Sequence, residues 1–115
     1  MSFQTVLCIG IGGFFGTLAR YFAGLIIGTP LATLTVNVLG SLAIGFVLGS
    51  DRWTQSNLAI VTIGLLGGFT TFSAFSAESI AFVKAGQPFN AIAYIAITLF
   101  LGLGATYLGF VLAEF

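Results

Sequence analysis

The residues of this sequence that could do chemistry are oxygens and aromatic rings, set at helical spacing inside apolar runs. Residues 67–75 read GGFTTFSAF, placing two glycines, two threonines and a serine where the flanking chain is apolar enough to span a bilayer. A glycine break in a membrane helix frees carbonyls on one half and N–H groups on the other, and both can hold ions. Carbonyl oxygens from two chains would make a cage suited to a small hard cation. Phe72 and Phe75 follow one turn apart, and Ser76 and Ser79 continue that face. Aromatic rings have a positive edge; edges turned into a narrow passage favour an anion, with hydroxyl or amide donors replacing its water. A glycine kink packed on another helix accounts for the same residues, and the stretch alone leaves both arrangements open.

Two more stripes share this chemistry. Thr33, Asn37, Ser41 and Gly45 recur every four residues, as do Tyr94, Thr98, Gly102 and Thr106, so each set lies along one helix face. Membrane serines and threonines often bond the carbonyl one turn back or a neighbouring helix. Asn37 is harder to satisfy in that way, because its amide needs several partners. Arg20 stands within an apolar run, and either snorkels to the interface or lines a watery vestibule that concentrates anions.

Other chemistry is excluded by what the sequence lacks. There is no histidine and a single cysteine, Cys8, which rules out an intramolecular disulfide and a Cys/His metal cluster. No paired carboxylates or nucleophile–base pair point to an enzyme. GIGGFFG at 10–16 has neither the spacing nor the following acid of a dinucleotide fingerprint. Three basic and three acidic residues balance to zero, so no patch favours nucleic acid.

The elements that must position these residues are membrane helices. Of 115 residues, 58% are hydrophobic and 5% charged, against about 25% charged in soluble domains; mean hydropathy is +1.16. Four segments reach the roughly 20 apolar residues a spanning helix needs: 3–27, 31–50, 57–83 and 89–113, forming one all-α transmembrane domain over 1–115 with the third helix broken. MSFQTVLCIGIGG lacks a basic n-region and reads as a retained first helix. The connections at 28–30, 51–56 and 84–88 are short, so neighbouring helices run antiparallel. Trp53 beside Arg52 reads as an interfacial anchor. One basic residue on one side against two on the other barely biases orientation, which permits insertion both ways up and an antiparallel dimer. Gly12/Gly16, Gly24/Gly28, Gly45/Gly49 and Gly64/Gly68 are spaced for close helix packing.

GGFFGTLARY at 12–21, GTPLATLTVNVLGS at 28–41 and GGFTTFSAFSAE at 67–78 together resemble the Fluc (CrcB) family of bacterial fluoride channels. The likeness covers the first three helices in order and spacing, and the fourth more loosely. It implies a dual-topology homodimer with two pores, passively exporting fluoride across the inner membrane. By this resemblance Phe72 and Phe75 turn ring edges to fluoride, and Asn37 lines the pore. Ser73, Thr33, Tyr94 and Thr98 supply hydroxyls, Arg20 faces a vestibule, and Glu78 closes the third motif. The carbonyls of Gly67 and Thr70 hold a structural sodium ion between the two copies. Ala74 and Gly102 depart from the family pattern, each removing a hydroxyl. A small proton-coupled drug exporter, also a four-helix dimer, needs an acid in its first helix; here the first acid is Asp51, in a loop. A cation channel lacks its acidic ring at pore depth. A membrane scaffold explains the glycines but not the break with its phenylalanines.

Overall fold

In a computed structural model, residues 2–114 are described; they are helical almost throughout, with no strand among them. The two end residues of the expected 1–115 domain lie outside that range. Helix α1 spans Phe3–Ile27 and α2 Leu31–Leu48. After a loop, α3 (Gln55–Ala59) runs into a π-helical stretch, Ile60–Leu66, and then α4 (Gly67–Phe69), the backbone staying helical through both joins. Thr70 and Thr71 are extended; α5 (Phe72–Lys84) and α6 (Pro88–Ala113) complete the chain.

Four helical runs, Phe3–Ile27, Leu31–Leu48, Gln55–Lys84 and Pro88–Ala113, are long and apolar enough to cross a membrane. The first matches the sequence expectation, and the other three depart from it by one or two residues, for local reasons. The second ends at Leu48, because the Ser50 N–H turns back to the Val47 carbonyl instead of continuing the α pattern. The third begins earlier because the Thr54 side chain caps it, accepting from the Asn57 N–H. The fourth opens on Pro88, whose missing N–H is harmless at a helix start.

Glycine makes the two closest helix crossings possible. A Cβ on Gly12 would come within 3.1 Å of the Leu65 nitrogen, one on Gly64 within 2.7 Å of the Ile9 carbonyl, and one on Gly68 within 2.6 Å of the Gly13 carbonyl. Backbone therefore rests on backbone where α1 crosses the first half of the third span. The α2–α6 crossing is built likewise: Gly45 lies against the Thr106 backbone and Gly49 against Phe110. Gly24/Gly28 is the exception. Neither has an atom within 4 Å of its missing Cβ, and Gly28, at φ 85°, ends α1 by taking a left-handed conformation.

The buried core is small: Ala32, Val36, Val47, Phe75, Ala91 and Tyr94. Accessible surface is 7425 Å², above the roughly 6,000 Å² of a soluble protein of this mass. The long axis of 49 Å slightly exceeds the roughly 40–45 Å of a whole bilayer. Large apolar side chains cover all outer faces, so the hydrophobic effect drives this chain into lipid instead of into a core.

Candidate functional site

The break at Thr70–Thr71 is held open by side chains from other helices. Asn37 of α2 donates from Nδ2 to the Thr71 carbonyl at 3.0 Å, and its Oδ1 accepts from the Thr71 N–H at 2.7 Å. One side-chain amide thus pairs with both backbone polar groups of a residue that has left the helix. Arg20 Nε donates to the Gly68 carbonyl at 3.2 Å. Thr71 Oγ1 caps α5 by accepting from the Ala74 N–H at 3.1 Å.

These bonds determine which oxygens are released. In a continuous α-helix the Thr71 N–H would close on the Gly67 carbonyl, and the Ala74 N–H on the Thr70 carbonyl. Here Asn37 takes the first and Thr71 Oγ1 the second. Gly67 and Thr70 are thereby deprived of their usual donors, whereas Gly68 between them is engaged by Arg20. Two freed carbonyls in a glycine-opened turn fit the donor chemistry of a hard monovalent cation, but one chain offers too few of them for a complete shell.

Two cavities meet at Thr71. The larger, about 420 Å³, is lined by Asn37, Ser41, Gly67, Thr70, Phe72, Phe75 and Thr98 among others. The second, about 270 Å³, lies between α1, α2 and α5 and is lined by Arg20, Thr33, Thr71, Ala74 and Glu78, reaching Thr29 at the helix ends. Arg20 is about 10 Å of helix from the end of α1, half-buried, and anchored to the break. It lines this cavity and braces the broken helix.

The ring system divides the two phenylalanines. Phe75 is 6% exposed and packs between Phe72 (centroids 5.5 Å, planes at 70°) and Tyr94 (5.4 Å, 56°). Phe72 is 74% exposed, standing on an open edge of the cavity that this chain does not cover. Glu78 has both carboxylate oxygens taken by hydroxyls: Thr33 Oγ1 donates at 2.7 Å and Tyr94 Oη at 2.6 Å. The Thr33 and Tyr94 hydroxyls are therefore directed at Glu78 in this arrangement. Thr98 is 8% exposed, and its Oγ1 has no hydrogen-bond partner among the described residues.

Of the residues singled out in the sequence, the larger cavity gathers Asn37, Gly67, Thr70, Phe72, Phe75 and Thr98, and the smaller takes Arg20 and Thr33. Tyr94 links the two through Phe75 and Glu78. Ser73 lines neither; it is exposed, 3.3 Å from Thr71 Oγ1. Sequence reasoning passed over Thr71, the residue common to both cavities. Its signal was present, because a threonine three residues before a backbone N–H in a restarting helix is a cap. The sequence marks Glu78 as the acid that closes the third motif, but nothing in linear spacing pairs it with Thr33, 45 residues away.

The fold and this site define a small membrane protein of four spans, with a broken third helix opening into polar cavities. The family model described as CrcB-like protein, Camphor Resistance (CrcB), matches residues 7–110, and the chain belongs to that family. A relative from Azobacteroides pseudotrichonymphae, named fluoride-specific ion channel FluC, is 37% identical, covering 97% of this chain and 98% of its own. Relatives of the same name from Chlorobium phaeobacteroides (42%, covering 90% of this chain and 87% of its own) and Chlorobium chlorochromatii (38%, 95% and 92%) are similar. These relatives are named as ion channels, not enzymes, and with the four spans they mark this chain as a multi-pass membrane protein.

Proposed function

We propose that this protein is a fluoride-selective channel that passively exports fluoride across the cytoplasmic membrane. Fluoride crosses the bilayer from an acidic medium as the neutral acid HF and ionises in the less acidic interior, where the anion is trapped, so a downhill conduit for the anion suffices. The observation that carries the reading is the cavity at the break, which the buried Phe75 ring and the unpartnered Thr98 hydroxyl line beside the Asn37–Thr71 clamp. The relatives named fluoride-specific channels, matched over nearly the whole chain, support the ion.

The working unit is a dual-topology homodimer with two pores. An open cavity edge and the exposed Phe72 support a covering second copy, and the near-neutral charge placement supports opposite insertion. A two-fold axis in the membrane plane would bring two copies of the break together. Four carbonyls, from Gly67 and Thr70 of each, then hold a structural sodium ion, whose charge joins that of Arg20 in drawing anions.

The test is efflux from liposomes holding the purified protein, read with a fluoride electrode beside a chloride control. Fast fluoride release with chloride retained is expected. No fluoride release from a verified, folded dimer would reject the reading.

A further inference from the structure

Hydroxyls in membrane helices commonly bond the carbonyl one turn back. Thr35, Thr62, Thr70, Ser79 and Thr106 all do so here, at 2.7–3.2 Å. Thr98 and Ser41 do not. Thr98 Oγ1 is buried without a partner, and Ser41 makes no hydrogen bond among the described residues; both line the larger cavity. These two hydroxyls are held ready for something other than the protein's own backbone.

Along α6, the position one turn beyond Thr98 is Gly102, which has no side chain to offer. The Thr106 hydroxyl, one turn further, is turned back on the Gly102 carbonyl at 3.2 Å. A Cβ built on Gly102 meets one atom within 4 Å, the Ser41 Oγ of α2, at 3.7 Å. A serine at 102 would thus fit and would carry its hydroxyl into the neighbourhood that Ser41 already occupies.

We propose that Ser41 supplies, from α2, the hydroxyl that α6 lacks at Gly102, so that an anion leaving Thr98 is passed between helices. This rests on the channel reading. Losing one hydrogen bond to a charged group corresponds to a change in rate of about tenfold or more.

Fluoride efflux from liposomes is measured for the unsubstituted protein and for Ser41→Ala, Gly102→Ser and Ser41→Ala/Gly102→Ser, with thermal unfolding of each. Ser41→Ala is expected to conduct about tenfold more slowly with unfolding unchanged, and the double variant to recover most of the loss. Ser41→Ala conducting like the parent would overturn the proposal. So would a slow Ser41→Ala that Gly102→Ser does not restore, or one that melts early, which marks Ser41 as packing. A parent protein that releases no fluoride rejects the channel reading itself, an outcome distinguishable from all of these.

Discussion

Asn37→Ala isolates the clamp on the broken helix. The wild-type amide makes two bonds to Thr71, at 3.0 and 2.7 Å, and alanine leaves both backbone polar groups of that residue unmatched. Interhelical hydrogen bonds in membranes average only about 0.6 kcal/mol each, which counted alone gives about 1.2 kcal/mol. A buried peptide group without any partner costs about 1–3 kcal/mol, and Thr71 has two. The unpaired-backbone cost governs, because an extended residue inside a helix pair has no other protein group to turn to. Cavity water reaching one side lowers the total from its upper bound. We expect Asn37→Ala to destabilise the fold by about 2–3 kcal/mol. Thr35→Ala is the control: on the same helix, its hydroxyl bonds only the Leu31 carbonyl, so its loss should stay within about 0.5 kcal/mol. Reversible unfolding in mixed micelles, followed by far-UV circular dichroism, compares the two. Equal stabilities for Asn37→Ala and Thr35→Ala would refute the clamp and leave Asn37 as a lining residue alone.

Gly16→Ala drives a methyl into the backbone of Leu65 and Phe69, where neither helix can yield, and should cost about 1–3 kcal/mol. Gly24→Ala meets nothing within 4 Å and should be neutral or gain up to about 1 kcal/mol in helix propensity, in the same unfolding assay. Phe75→Ala empties a buried site and should cost about 3–5 kcal/mol together with fluoride efflux. Phe72→Ala removes a ring exposed in the single chain; it should lower efflux while leaving secondary structure intact, as read by electrode and circular dichroism.

The distribution of apolar residues alone is enough to read four spanning helices, because a 20-residue hydrophobic run has few ways to satisfy its backbone other than as a helix in lipid. The break was legible for a related reason: GGFTT is a poor helix interior, and the structure leaves Thr70 and Thr71 extended. Helix ends were legible only to within a few residues, since a cap such as Thr54 acts through one local bond that apolarity does not register. Glycine spacing was read correctly for three pairs and not for Gly24/Gly28. A small-xxx-small pair signals that close approach is allowed, and whether a neighbour takes it up depends on where α1 stops.

The candidate site was legible as a set of residue types but not as a set of bonds. Thr33, Asn37 and Tyr94 carry polar groups at membrane depth, and their stripes marked them as needing partners. Which partner each takes is a contest decided by distance: Thr33 and Tyr94 turn to Glu78, and Asn37 to Thr71. Thr98 finds none, and Ser41 faces a gap left on another helix. The sequence by itself determined that the chain belongs in a bilayer, with one helix interrupted at its middle, because transfer free energy and backbone satisfaction are sums over local residues. The tertiary structure decided which oxygens are used up and which are left to face a cavity, because a hydrogen bond is short and directional, and its two ends here lie 34 or 45 residues apart.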